Sequence, residues 1–599
     1  MRNLISKRGL AGAMLVIVLL ATLACSSGDD SVPAAPTVAV PSSADTGTSA
    51  ASTDGAPVYG GTVTVPATGS WAFDPASNVF GFSWQKLGAG GNMWNELIRI
   101  SPTDRETFEG DLAESWQMSD DGLTLKVKLI DGIMDHEGDP FTIEDVYYQL
   151  FRYVERPNKT PANTQACLRT YVKKVLDESG NKLAEPGLEI TGTHEISIRF
   201  TAPRASTIAC LGSPSVLYTP SKYTKAIDDA GGGYRDIDPD KGEYVGTGPF
   251  KIDMNNYEVG ARMVWERNPN YFKAGLPYLD SIEHVLMSDD SAILANIRAG
   301  RLDVLGPLAP NFRMSEMQQL KKDLGDKILL HPHAQYRWEG IQLNVQDPAL
   351  GPVGDPNADK VRKAIRLAVD PQEYIDGLYD GEGTIMVGFN LRDTWINTLE
   401  GWYSDMPAFN PDPASRAKMV VDAKQLMVDA GYGPDNKLSL LYLCATPTQH
   451  KCEAVAGQLN RDIYVDITVA LGGGYGATSE KVRKGDYQIM STAHNGRFAD
   501  PDAMTLNVYP LWPDGGRNYT NGWTNDKFWD LHAKQNVEPD KTTRGGYLRE
   551  MAKIVYEDAA MISIATGPNF WINRGNWRGY TPPPDPNVGY SLENVWLAP

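Results

Sequence analysis

The sequence predicts a mixed α/β fold, and two features carry that reading. Between residues 413 and 495 helical and strand patterns alternate, which is how parallel βαβ units are built. Upstream, short segments of period-two apolarity alternate with capped helical stretches. With 599 residues, 42% of them hydrophobic, the chain exceeds one ordinary domain and has material for a sizeable core.

The elements are read in chain order. GGTVTVPA at 60–67 opens an alternating strand, and LTLKVKLI at 123–130 puts Leu123, Leu125, Val127 and Leu129 on one face. The Asp-Asp-Gly at 120–122 turns the chain between two strands, and Trp116 just before it reads as a core anchor. FTIEDVYYQLFRYV begins a helix with Thr142 as cap and Asp145 in capping-box position. DSAILANIRAGRLDVLG is a helix ended by Gly300, then a short strand. In the alternating region PASRAKMVVDAKQLMVDAGYG is a helix, LSLLYLC a strand, HKCEAVAGQLNRDI a helix and VDITVAL a strand. TSEKVRKG is a short helix and DYQIMST a strand. Gly246 and Gly248 with Pro249 read as a tight entry into a strand, a requirement of the fold and not a phosphate cradle.

The N-terminus has a different character. Arg2, Lys7 and Arg8 precede an apolar run from Leu10 to Ala24. The run is shorter than the roughly 20 residues that span a bilayer and is flanked like a signal peptide. Leu23-Ala24-Cys25 is similar to the lipobox of bacterial lipoproteins, with Thr22 where Leu is usual. Residues 1–24 are therefore expected to be a lipoprotein signal peptide and Cys25 the lipidated residue. Residues 26–57 are rich in Ser, Ala, Thr, Pro, Gly and Asp and hold no aromatic residue. Such a stretch cannot offset its chain entropy by burial. With Cys25 it makes a tether, 25–57, on the order of 30 Å from end to end.

Charge and cysteine content narrow the function classes. The chain carries 56 Lys and Arg against 75 Asp and Glu, a net charge of −19. That excludes nucleic acid as the expected partner and leaves membrane attachment to the lipid. Cys167, Cys210, Cys444 and Cys452 allow three pairings. Cys167–Cys210 and Cys444–Cys452 are favoured because each pair lies within one segment, with four unpaired buried thiols as the alternative. The spacings match no zinc motif. No nucleophile elbow, zincin helix or Walker loop occurs, so neither catalytic residue, metal nor cofactor is expected. DIDPDKGEY at 236–244 has its glycine one place late for an EF-hand and Thr247 at the twelfth position, and reads as a solvated acidic loop.

GDLAESWQMSDDGLTLKVKLIDGIMDHEGDPFTIEDV at 110–146 closely resembles the signature of family 5 extracellular solute-binding proteins, the oligopeptide-, dipeptide- and nickel-binding components of ABC importers. The resemblance continues through VGTGPFKI at 245–252, ERNPNYFKAGLPYLDSIEHVLMSDDSAILANIRAGRLDVL at 266–305, VRKAIRLAVDPQEYIDGLYDGEGT at 361–384 and DYQIMSTAHNGRFADPDA at 486–503. It covers essentially everything after residue 58. It implies a two-lobed fold of the periplasmic-binding-protein type II kind, with an inserted domain and a hinged ligand cleft. The implied segments are 58–97, 201–335 and 560–599 for the first lobe, 98–200 for the inserted domain and 336–559 for the second lobe. Hinge crossings are expected near 336–344 and 558–567. The implied partners are a small solute and the permease subunits of an importer. The implied setting is outside the cytoplasm, at the outer face of the cytoplasmic membrane or in the periplasm, as a monomer. A secreted polymer-degrading enzyme and a solute-sensing receptor are the competing readings.

The resemblance also suggests ligand contacts. Tyr475 lies in the loop where peptide-binding relatives present an aromatic residue, Tyr336 and Trp338 at the hinge, and Trp71 and Phe73 after the first strand; Trp395 is a further aromatic candidate. In peptide-binding relatives an Asp three residues before the Asp/Glu-Pro pair meets the peptide's α-ammonium. Here the pair is Asp500-Pro501 and the residue is Arg497, with Asn495 and Phe498 beside it. An arginine repels an ammonium and favours a carboxylate, phosphate or polyhydroxyl group. The expectation is an anionic or sugar-like solute, with a peptide as the alternative.

Overall fold

The computed structural model describes residues 56–67, 91–101, 107–156, 166–213, 216–232, 244–258, 261–287, 289–305, 312–334, 337–387, 405–495, 500–502, 521–582 and 591–598. The signal sequence, Cys25 and nearly all of the tether lie outside the described residues, as does most of the acidic loop at 236–244.

Four sheets of three or more strands organise the described residues. In the first, Thr62–Ala67 runs parallel to Ser281–Leu286, which continues antiparallel to Arg262–Arg267 and then Phe250–Glu258. Its core holds Val63, Val65, Trp94, Trp265 and Trp571. The entry to Phe250–Glu258 is as tight as its glycines suggest. A Cβ on Gly246 or Gly248 would collide with the backbone of residues 92–93, so neither position tolerates a side chain.

A second sheet, antiparallel throughout, orders Ala113–Met118, Thr124–Leu129, Glu195–Arg199 and Leu188–Gly192. Leu125, Val127 and Leu129 point inward, as their period demands. Helix Ile143–Glu155 covers this sheet, and the Thr142 N–H donates to Asp145 Oδ2 at 2.7 Å to close its first turn. Trp116 is half-buried and packs against the edge of this core, not at its centre. The core runs from Leu97 to Tyr218, past residue 200, because helix Thr207–Leu211 is joined to helix Ala166–Tyr171 by the Cys167–Cys210 disulfide.

The alternating region builds the third sheet, of six strands: Thr384–Ile385, Met561–Thr566, Arg337–Leu343, Ile489–Asn495, Leu438–Cys444 and Val465–Leu471, in that spatial order. Leu438–Cys444 is parallel to both Val465–Leu471 and Ile489–Asn495, the βαβ arrangement expected. Helix Pro413–Asp429 leads into Leu438–Cys444, helix Gln449–Asp462 connects that strand to Val465–Leu471, and helix Tyr475–Arg483 connects Val465–Leu471 to Ile489–Asn495. The Cys444–Cys452 disulfide ties the end of one strand to the start of the second helix. Two boundaries differ from the pattern reading. The helix predicted from 478 begins at Tyr475, so Tyr475 opens a helix and does not sit within a loop. The strand predicted from 486 runs Ile489–Asn495.

The fourth sheet has three strands, Val304–Leu305, Pro568–Arg574 and Ile328–Ala334. It shows how the halves connect. Ile328–Ala334 pairs with Pro568–Arg574, ending with Ala334 opposite Pro568. Arg337–Leu343 pairs with Met561–Thr566 in the six-stranded sheet, with Glu339 opposite Ala565. The chain thus passes from one sheet to the other between Ala334 and Arg337 and returns at Gly567, and the two crossings lie side by side. They fall at the outer ends of the segments expected to form the hinge.

Candidate functional site

The six-stranded sheet brings a buried polar group to the foot of both crossings. Glu339, two residues into Arg337–Leu343, is 4% exposed and shares a strand face with Ile341 and Leu343. A carboxylate in that position must be matched by donors, and Lys451, Tyr379 and Tyr374 are among those that reach it. Lys451 Nζ donates to Oε1 at 2.6 Å, while the hydroxyls of Tyr379 and Tyr374 donate to Oε2 at 2.6 and 3.2 Å. Lys451 also donates to the Tyr379 hydroxyl at 2.8 Å. Lys451 stands in the first turn of helix Gln449–Asp462, where a cation is opposed by the helix dipole; the ion pair with Glu339 compensates. Burial, and next the charge of Glu339, push the Tyr374 phenol up, so it stays a donor. A small cavity opens on this group, lined also by Tyr442, Thr448 and Ser491.

A second polar group holds the end of the Asp500-Pro501-Asp502 stretch. Arg544 grips Asp500 with both terminal nitrogens, at 2.7 and 2.6 Å. Asp502 is fully buried and faces His532 Nε2 at 2.7 Å. Burial would raise its carboxyl, but His532, Tyr171 and Arg544 outweigh that and hold it below the usual carboxylate range.

Of the residues expected at the ligand, the structure places three by backbone. Trp338 lies opposite His494 and Asn495 opposite Arg337 on paired strands, and Tyr475 opens its helix. Arg497 and Phe498 belong to the stretch directly after Asn495. Together with Trp71, Phe73, Tyr336 and Trp395 they lie outside the described residues. No group of His, Cys, Asp or Glu among the described residues is arranged to hold a metal. No helix among them is long and apolar enough to cross a membrane.

Neither polar group was expected from sequence. The members of the first come from strand Arg337–Leu343, helix Pro371–Tyr379 and helix Gln449–Asp462, and only the packing of the two helices on the strand gathers them. One signal was present: a glutamate in phase with Ile341 and Leu343 on an apolar strand face.

Comparison with known proteins fits this architecture. The family described as bacterial extracellular solute-binding proteins, family 5 Middle, matches residues 107–514. The chain belongs to that family. As a family 5 solute-binding protein it works outside the cytoplasm, binds a solute and delivers it to an ABC importer; it is not an enzyme. Among relatives, it is 23% identical to the probable di/tripeptide-binding protein 5 of Pseudomonas aeruginosa, over 82% of this chain and 87% of that one. Among solved structures it is similar to the periplasmic binding protein DppA of Helicobacter pylori in complex with peptide STSA, at TM-score 0.71 and 20% identity, covering 90% of this chain and 99% of that one. It is likewise similar to AgaA of A. tumefaciens in complex with agropinic acid, at TM-score 0.69 and 19% identity, covering 90% and 99%. These likenesses establish the two-lobed type II fold for this family 5 protein.

Proposed function

We propose that this protein captures an anionic or sugar-like solute by hinge closure and is held by lipid on Cys25 at the outer face of the membrane, as a monomer serving its permease partners. The observation that carries the ligand class is Arg497, three residues before Asp500-Pro501. The carboxylates nearest to it in sequence already have partners: Asp500 is paired with Arg544, and Asp502 is buried among its own donors. Neutralising Arg497 inside its own segment would have to compete with those contacts. Its guanidinium is thus a candidate to meet a ligand oxygen. Trp71, Phe73, Tyr336, Trp338, Trp395, Tyr475, Asn495 and Phe498 complete the proposed cleft lining, and Arg497 supplies its charge. The AgaA complex with agropinic acid is a precedent within the fold for an acid in place of a peptide.

A peptide remains the second reading, favoured by relatives such as the di/tripeptide-binding protein of Pseudomonas aeruginosa. Calorimetry with free and N-acetylated di- to pentapeptides, beside sugar acids, separates the two. Tight binding of free peptides that acetylation abolishes would overturn the proposal. Binding of a sugar acid, weakened by more than about 1.5 kcal/mol in Arg497→Ala, is the expected result. For the anchor, Cys25→Ser should leave unprocessed precursor or free the body from the membrane fraction; a variant still processed and still membrane-bound would refute it.

A further inference from the structure

Asp502 takes hydrogen bonds from two hydrophobic cores at once. His532 Nε2 and Gln535 Nε2 face its Oδ1 at 2.7 and 3.4 Å. Both sit on helix Asp526–Val537, whose Phe528 and Leu531 pack in the core around Trp523. From the other side Ser206 Oγ donates to Oδ2 at 3.1 Å, and the Tyr171 hydroxyl donates to the same oxygen. Tyr171 belongs to the core built around the Cys167–Cys210 disulfide, which shares no residue with the first. One backbone bond joins the two sides here, from the Ala205 N–H to the Asn536 carbonyl at 2.6 Å.

The two sides differ in how firmly they hold Asp502. His532 and Gln535 lie on the same side of the junction as the carboxylate and would stay with it if the cores parted. Tyr171 and Ser206 would leave, and water would replace them on both faces. A polar junction of this kind costs little to open, because every separated group finds a new partner. An apolar junction would expose surface instead. Asp502 is also only five positions from Arg497, at the end of the stretch that carries the proposed ligand contacts.

We propose that Asp502 is the centre of a latch that completes when the lobes close, and that Tyr171 and Ser206 act as its catch. Asp502 is a positioning residue here: its bonds to Tyr171 and Ser206 are complete only in the closed form. The inference rests on the hinge-closing part of the proposed function and is independent of which solute binds.

The test needs no solute. Ala205→Cys and Asn536→Cys are introduced together in the full chain carrying Cys25→Ser, which leaves no other free thiol. The contact between the Ala205 nitrogen and Asn536 oxygen limits their Cα atoms to disulfide reach. Oxidation or a short bis-maleimide should link the pair, and small-angle scattering should give the linked chain a smaller radius of gyration than the unlinked one. Adding Tyr171→Phe should slow linking by about tenfold, the loss expected for one hydrogen bond to a carboxylate, while leaving the melting temperature of the unlinked chain unchanged. Equal radii with and without the link, or an unchanged linking rate with a lowered melting temperature, would make the junction a permanent interface and overturn the latch. Failure to link by either reagent would overturn it too. A wrong ligand class would show only in the calorimetry and leave these readings untouched.

Discussion

The ring of Tyr379 occupies the space a side chain at Gly567 would need. A Cβ there would stand 2.5 Å from Tyr379 Cε1 and 2.6 Å from Cζ. Gly567 is the return crossing between the sheets, and Tyr379 is bonded through its hydroxyl to Glu339 and Lys451 beside the outgoing one. One tyrosine therefore braces both crossings between the two sheets. Gly567→Ala should push the ring off its partners and cost about 1–3 kcal/mol, as overpacking does. Urea unfolding measures this, and a loss under about 0.5 kcal/mol would show that the contact relaxes freely.

The Glu339–Lys451 pair should behave as a buried ion pair. Glu339 is 4% and Lys451 9% exposed. Lys451→Met removes the cation that donates to Glu339 Oε1, and Glu339→Gln removes the charge that faces Lys451 Nζ. Each should cost about 3–5 kcal/mol, and the double variant clearly less than the sum. Additive losses in a double-mutant cycle would mean that the two charges are solvated separately.

These two groups mark where sequence reading succeeds and where it stops. Leu438–Cys444 and Val465–Leu471 were legible residue by residue, since period-two burial and a flanking helix leave one assignment open. The capping box at Thr142 and Asp145 was legible for the same reason: its partners are neighbours in the chain. Glu339 and Lys451 are 112 positions apart, and Tyr171 and Asp502 are 331 apart. Such pairs depend on how helices pack on a sheet and on how separate cores meet, and no local pattern encodes either. The ligand contacts came from motif resemblance, and only Trp338, Asn495 and Tyr475 of them have a described backbone.

The two disulfides should contribute unequally. Cys167–Cys210 spans 43 positions and Cys444–Cys452 spans 8. On the chain-entropy account the first is worth about 4 kcal/mol and the second about 2.5 kcal/mol. Replacing both cysteines of a pair by alanine and comparing denaturant midpoints checks the order. The denatured, unreduced wild-type body should show no labelled thiol at these four positions. A larger loss from the short loop would point to native packing at Cys444 and Cys452, both fully buried, as the dominant effect.

Acid should weaken the fold through two buried histidines. His284 is fully buried beside Trp265, ring centroids 4.1 Å apart, and neither ring nitrogen has a hydrogen-bond partner among the described residues. His136 receives the Gly246 N–H on Nδ1 at 3.0 Å, which leaves the proton on Nε2, facing the Gly248 carbonyl at 3.3 Å. Burial lowers both rings to about 3. In the unfolded chain each takes a proton below about pH 6.5. The stability they confer is therefore complete above that value and drains away as pH falls towards 3. Each ring contributes a slope of about 1.4 kcal/mol per pH unit. Between pH 6.5 and 5.0 His284 alone should account for roughly 2 kcal/mol of lost stability. His284→Phe keeps an aromatic ring against Trp265 and removes the titration. Urea unfolding of that variant should show a shallower decline over this range by about the same amount, whatever its stability at neutral pH. An unchanged decline would mean that His284 takes up its proton in the folded protein, and the acid sensitivity would then have to come from elsewhere.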